Sequence, residues 1–183
     1  MEQVTMEQIK ETQQKLSDLR WIYWQDQVLF TWQWWLLLFG TILLSVLWIR
    51  FVSKERLVPI LLFGSLTLLV VIFLDVLGAE LLLWEYPKMV LPWGSRIICI
   101  DIMIAVFYMF VYQWARSWPI FLLAMTLLSA GFSFLFEPFS IAVSIYIPYN
   151  WSLLYSFPIY IAIGAIGKAV TDRVVHLQNQ ARY

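Results

Sequence analysis

Residues 57–84, LVPILLFGSLTLLVVIFLDVLGAELLLW, carry only two charged side chains in 28 positions, Asp75 and Glu80. A helix of about 20 mostly apolar residues spans the hydrocarbon core of a bilayer. Because this stretch exceeds that length, it predicts a transmembrane helix with carboxylates toward one end.

The composition of the whole chain is that of a membrane protein. Of its 183 residues, 62% are hydrophobic and 13% are charged, and a soluble domain of this size cannot bury so much apolar surface. Twelve basic and twelve acidic residues balance, so we predict no nucleic-acid partner. One cysteine, Cys99, is too few for a cysteine-based metal site. The one histidine, His176, lies in the polar C-terminal tail, where we expect a solvated side chain and neither a zinc ligand nor the base of a Ser/His/Asp triad. We therefore predict neither a metal nor a cofactor.

Five segments reach the length of a crossing, and we predict an all-α integral membrane protein, a bundle of five transmembrane helices. The segments are 30–51, 57–84, 93–114, 118–137 and 151–170. The predicted domains are a polar amphipathic N-terminal helix with a Trp-rich interfacial belt at 1–29, a transmembrane domain at 30–170, and a polar cytoplasmic tail at 171–183.

Basic residues predict the orientation of this bundle. The regions after the first, third and fifth segments share one side of the membrane and hold seven of them: Arg50, Lys54, Arg56, Arg116, Lys168, Arg173 and Arg182. The positive-inside rule then places the N-terminus outside and the C-terminus inside a plasma membrane. The inverted orientation stays open, because the N-terminal segment also contains Lys10, Lys15 and Arg20.

Charged residues are predicted to gather in the outer half of the membrane. Five of them fall there when the segments are measured at about 1.5 Å per residue: Asp75, Glu80, Arg96, Asp101 and Glu137. An ionisable group in lipid is unfavourable unless it is paired, hydrated or protonated, so these side chains should face one another or a water-filled cavity. The inner half is expected to hold no comparable set.

Two local rules refine this prediction. Successive five-residue steps turn Asp75, Glu80 and Glu85 by about 140° each around a helix, so the three cannot all face one cavity. Pro138 disfavours helical geometry in the residue before it, so the fourth helix is expected to end at Glu137. The uncharged segment 138–151 then lies either in the interface or over the cavity as a lid.

The candidate catalytic residues are four acids, Asp75, Glu80, Asp101 and Glu137, and a protonated Asp101 or Glu137 would be the general acid. Asp101 or Glu80 is alternatively an anion paired with Arg96. Helical spacing places Ser133 on the face of Glu137, and Tyr108 and Tyr112 on the face of Asp101. The candidate ligand-binding residues are Arg96, Trp84, Trp93, Tyr108, Tyr112, Ser133, Phe136 and Tyr155.

Short motifs lie in order along the chain: D-x-x-G at 75–78, WEYP at 84–87, Asp101, YQW at 112–114, FEP at 136–138 and W-x-x-x-YSFPIY at 151–160. Their order resembles that of a family of small, uncharacterised multi-spanning membrane proteins from endospore-forming Gram-positive bacteria. The resemblance implies a plasma-membrane location and little about activity. The Trp84–Glu85 pair bears a weaker resemblance to transmembrane terpene cyclases, in which helices surround an apolar substrate and carboxylic acids protonate it.

Three classes of function stay open at this point. The first is binding of an apolar or lipid-like ligand, with acid-initiated cyclisation or isomerisation of an isoprenoid as its enzymatic form. The second is a small proton- or cation-coupled transporter, which would need a homo-oligomer or a path through the apolar inner half. The third is a sensor or assembly factor without enzymatic activity. Membrane lipids are expected partners in all three.

Overall fold

The computed structural model describes residues 4–92 and 99–181, and this part of the chain is almost entirely helical. Its helices are α1 (Met6–Gln27), α2 (Trp32–Phe51), α3 (Leu57–Glu80), α4 (Ile100–Trp114), α5 (Trp118–Gly131), α6 (Glu137–Ala142) and α7 (Leu153–Gln180). A 3-10 turn, Lys54–Arg56, leads into α3. Two short strands, β1 (Trp84–Glu85) and β2 (Ile147–Pro148), pair antiparallel.

Four helical runs in the described residues are long and apolar enough to cross a membrane: Trp32–Phe51, Lys54–Glu80, Trp118–Ala142 and Leu153–Gln180. The predicted all-helical fold is confirmed, and four of the five predicted segments correspond to these runs. The remaining segment, 93–114, contains α4, whose 15 residues extend only about 22 Å at 1.5 Å per residue. Residues 93–98, which precede α4, lie outside the described part of the chain.

The bundle packs tightly where small residues let helices approach. Phe63 of α3 is fully buried and stacks on the ring of Tyr112 in α4, with ring centroids 4.5 Å apart. A methyl group added at Gly164 of α7 would lie 2.5 Å from Cε of Met125 in α5. Small residues at membrane-helix interfaces permit this closeness because packing contacts hold such helices together.

The fourth predicted crossing does not end at Glu137, so that expectation is wrong. A π-helical segment, Phe132–Phe136, joins α5 to α6, and the helical run continues through Pro138 to Ala142. Proline lacks a backbone N–H, and its ring clashes with the carbonyl four residues earlier in an α-helix. The wider π turn places Pro138 in the first turn of α6, where an N–H donor is not required.

The N-terminal helix α1 lies on the surface of the fold, and none of its residues is buried. Thr5 and Gln8 form a reciprocal capping box that defines its start. Its far end is tied to the segment after β1, because Trp24 Nε1 donates a hydrogen bond to the Met89 carbonyl at 3.2 Å and the Lys88 ammonium donates to the Gln27 carbonyl. The predicted tryptophan belt therefore contacts the connection between α3 and α4.

Candidate functional site

A cavity of about 220 Å³ lies at one end of the bundle. It lies where α3 and α6 end and where α4 and α7 begin, which is the end that the predicted orientation places outside. Its aliphatic wall consists of Leu37, Val71, Leu74, Ile100, Met103, Ile104, Ile145, Ile159 and Ile163. Its aromatic wall consists of Trp84, Tyr86, Phe107, Phe132, Phe136, Tyr146, Trp151 and Tyr160. The polar side chains on the wall are Asp75, Glu137, Ser140 and Ser156.

Glu137 is held in the cavity wall by donors from α7. The Tyr160 hydroxyl donates to Glu137 Oε1 at 2.9 Å, and Ser156 Oγ donates to Glu137 Oε2 at 3.1 Å. Ser156 in turn accepts a hydrogen bond from Trp151 Nε1 at 2.9 Å. Ser156 and Tyr160 lie four residues apart and therefore share one face of α7. Both carboxylate oxygens thus accept hydrogen bonds, which orients the group toward α7.

Asp75 also lies in the cavity wall and accepts a hydrogen bond from a residue of the following loop. The Tyr86 hydroxyl donates to Asp75 Oδ1 at 3.3 Å, and the Tyr86 ring lies against Tyr146, with centroids 5.3 Å apart. Burial raises the pKa of the Tyr86 phenol well above its usual value, and the Asp75 carboxylate adds to this shift. Tyr86 therefore keeps its proton at any physiological pH and remains a donor to Asp75.

Two loop segments lie over the cavity at this end of the bundle, and we call residues 81–87 and 143–151 together the lid. Strand pairing joins them, with Trp84 opposite Pro148 and Glu85 opposite Ile147. The Tyr149 hydroxyl adds a hydrogen bond of 2.7 Å to Glu85 Oε2. Ile145, Tyr146 and Trp151 line the cavity, so residues 143–151 lie over it. This agrees with the second of the two positions expected for segment 138–151, a lid over the cavity.

The lid begins at two residues with left-handed backbone geometry. Leu82 has φ 51° and Ser144 has φ 57°, and L-residues adopt such angles only in tight turns or where surrounding packing requires them. Each residue reverses the chain just after a helix ends, α3 in one case and α6 in the other. These two turns direct both segments back over the cavity.

Four of the sequence-predicted site residues meet at the cavity: Asp75, Glu137, Trp84 and Phe136. Asp101 is fully buried near them, and its carboxylate contributes to the raised pKa of Tyr86, although it is not part of the cavity wall. Glu80 is exposed while Asp75 is buried, which agrees with their predicted angular separation on the helix. The geometry therefore selects Asp75 and Glu137 from the four candidate acids.

The remaining candidates lie away from the cavity wall or outside the described residues. Tyr108 is buried, stacks on Phe132 and donates a 2.7 Å hydrogen bond to the Tyr160 carbonyl, so it supports the wall from behind. Ser133 is buried beside the wall, whereas Tyr155 is mostly exposed. The predicted ligand-binding residues Trp93 and Arg96 fall outside the described part of the chain.

The expectation that the inner half holds no comparable polar set is wrong. Lys168 of α7 is only 3% exposed and pairs with Asp172, with Nζ and Oδ2 2.9 Å apart. Its ammonium faces three aromatic rings, those of Tyr112, Trp118 and Phe121, at 5.0 to 5.3 Å from their centroids. We call these five residues the inner cluster.

The inner cluster explains why Tyr112 is not part of the cavity. Its hydroxyl donates to Asp172 Oδ1 at 3.0 Å, and the Arg56 guanidinium lies 5.4 Å from its ring centroid. Sequence reasoning treated Lys168 as a loop charge because the fifth segment was expected to end near residue 170, whereas α7 continues to Gln180. The i, i+4 spacing of Lys168 and Asp172 was the available signal for an ion pair on a helix.

Sequence reasoning did not assign most residues of the cavity wall to the site, among them Tyr86, Trp151, Ser156 and Tyr160. The last two carry a detectable signal, because their spacing of four places two hydroxyls on one helical face. The first two lie outside the helices, where no periodicity marks which residues turn inward. Within residues 4–92 and 99–181, no group of three or more His, Cys, Asp or Glu side chains is arranged to hold a metal ion.

Comparison with known proteins finds no relative of this chain. No protein-family model, curated protein or solved structure matches the chain. The resemblances drawn from short motifs therefore stay predictions.

Proposed function

We propose that this protein binds a small apolar, lipid-like molecule in the cavity, with the polar group of that molecule against Glu137 and Asp75. The observation that carries the proposal is a cavity of about 220 Å³ with a mainly aliphatic and aromatic wall and two carboxylates. Ligand sites are typically apolar pockets in which a few polar groups fix orientation. An apolar cavity of roughly 150 Å³ already accommodates benzene, so this one has room for a larger molecule.

The proposal includes five crossings of a plasma membrane, with α4 as the short fifth span and the N-terminus outside. Large apolar side chains such as Leu43 of α2, Leu69 of α3 and Leu123 of α5 are exposed on the bundle surface, as lipid contact requires. The basic residues Lys54 and Arg116 lie at the opposite end from the cavity, which favours an inside location for that end. The cavity would then open toward the outer leaflet.

Acid-initiated cyclisation or isomerisation of an isoprenoid is a second candidate, favoured by the aromatic rings around the carboxylates. Ring faces such as those of Trp84 and Phe136 stabilise cationic intermediates. The hydrogen bonds at Glu137 favour binding over this chemistry, because Tyr160 and Ser156 both donate to the carboxylate. Hydrogen bonds donated to the charged form of a carboxyl group favour that form, so these two donors oppose the protonated state that a general acid requires.

Coupled transport is less well supported because the middle of the bundle is filled. Phe63 is fully buried between the cavity and the inner cluster, and its ring contacts those of Tyr108, Tyr112 and Phe121 at centroid distances of 4.5 to 6.5 Å. This aromatic layer separates the two polar regions. A path between them would require the rings to move.

Filling the cavity is expected to remove the bound molecule. Ile159 lines the cavity, and tryptophan at this position would occupy the space of a ligand. Ile166→Trp is the matched control, because Ile166 lies on the same helix and is 63% exposed. Lipid mass spectrometry of the purified proteins should find a compound that co-purifies with wild type and Ile166→Trp and is depleted at least about tenfold in Ile159→Trp. Equal content in all three proteins would contradict the proposal.

A further inference from the structure

We propose that the polar group of the ligand is a cation, an organic ammonium carried on an apolar body. This inference rests on the proposed function and adds the chemical class of the molecule. Three features of the structure lead to it: the rings of the lid, the hydrogen bonding of Glu137, and the way the same chain holds its own buried ammonium.

The rings of the lid form a surface that attracts cations. Trp84 and Trp151 meet edge to face with centroids 4.8 Å apart, and Tyr86 lies 5.3 Å from Tyr146. All four side chains line the cavity. The negative face of an aromatic ring attracts an ammonium group, most strongly where water is excluded. An apolar ligand needs no such concentration of tryptophan and tyrosine beside carboxylates.

The carboxylate of Glu137 is the second feature. Its partners in the described residues are the neutral donors Tyr160 and Ser156, which orient it without supplying a positive charge. An anion in a low-dielectric wall is stabilised by a cation at close range. A cationic ligand supplies that partner, whereas an anionic ligand would be repelled.

The inner cluster shows the same chemistry with the cation in place. The Lys168 ammonium lies between three ring faces at 5.0 to 5.3 Å from their centroids and 2.9 Å from the Asp172 carboxylate. The cavity offers rings and a carboxylate at the other end of the bundle. The chain thus holds its own buried ammonium with aromatic rings and a carboxylate. The cavity presents the same two kinds of group to a ligand.

The test compares a cation with its neutral isostere on the full-length protein in nanodiscs. Benzyltrimethylammonium and neopentylbenzene have the same shape, and they differ by one positive charge. Affinity is measured by ligand-observed NMR titration. The Ile159→Trp protein, whose cavity is filled, serves as the background control, because its signal reports only partitioning of the probe into the lipid of the nanodisc. We expect wild type to bind the cation about tenfold or more tightly than the isostere. Glu137→Gln should lose most of this preference, and Glu80→Gln, which removes an exposed carboxylate at the same end, should keep it.

The outcomes separate this inference from the proposed function. Equal affinities for the two probes, or tighter binding of the neutral one, would overturn the inference that the ligand is cationic. The proposal that the cavity binds an apolar molecule would still stand. Binding of neither probe above the Ile159→Trp background would overturn both. The comparison of the two probes uses wild-type protein, so it remains decisive even where Glu137→Gln does not fold.

Discussion

Alanine at Gly78 is expected to displace Trp84 from the cavity wall and to weaken ligand binding by about tenfold or more. Gly78 is buried in the last turns of α3, and a methyl group there would lie 2.0 Å from Cζ2 of the Trp84 ring. An aromatic ring is rigid, so it cannot relieve this overlap by a small bend, and inserting a methyl group into such a site typically costs about 1–3 kcal/mol.

The displacement reaches the lid because of what Trp84 contacts. Its ring packs edge to face on Trp151, and its backbone belongs to β1, which pairs with β2. When the ring moves, both contacts are strained and the cover of the cavity loosens. Affinity for the co-purifying compound, or for benzyltrimethylammonium, gives the direct measurement.

Gly131→Ala is the matched control for this experiment. It makes the same chemical change in another membrane helix, at a position where an added methyl group has no neighbour within 4 Å among the described residues. Binding by Gly131→Ala should equal that of wild type. An unchanged affinity in Gly78→Ala would show that Trp84 is not needed to close the cavity.

Lys168→Met is expected to destabilise the protein by about 2 to 3 kcal/mol. Methionine preserves most of the side-chain volume but removes the ammonium from the three rings and from Asp172. Losing one member of a fully buried ion pair costs about 3–5 kcal/mol, and the expected value is smaller because Asp172 is 38% exposed and water screens the charge left behind. Unfolding in mixed micelles measures the change.

Two further variants test whether the effect arises from the ion pair and its rings. Lys54→Met removes an exposed lysine at the same end of the bundle and should change stability by no more than about 0.5 kcal/mol. In a double-mutant cycle, Lys168→Met and Asp172→Asn should together cost less than the sum of their separate effects. Additive effects would mean that the two side chains do not stabilise each other.

The transmembrane fold could be predicted largely from hydropathy. The length of apolar stretches located four of the helical runs, because a bilayer requires about 20 residues per crossing. Helical geometry also separated Asp75 from Glu80, since a step of five residues turns the side chain by about 140°. Glu137 was expected in the same polar region as Asp75, and both line the cavity.

Other features depend on contacts between elements that are distant in sequence. The π-helical segment before Pro138 follows from how a continuous run accommodates proline, which local propensity alone does not indicate. Tyr86 and Trp151 turn into the cavity because strand pairing and left-handed turns fold the lid over it. Lys168 is buried because three rings from α4 and α5 surround its ammonium, a tertiary arrangement without a periodic signature.

The central claim, that an apolar molecule occupies this cavity, is tested most directly by photolabelling with an apolar aryl diazirine and mapping the labelled residues by mass spectrometry. Labelling of the wall residues Phe107, Phe132 and Ile159 should saturate as the probe concentration rises and should be displaced by excess unlabelled probe. Labelling of the exposed residues Leu69, Leu123 and Leu127 should instead rise in proportion to the probe in the bilayer. Labelling that rises in proportion at every position, or that omits the three wall residues, would contradict the claim.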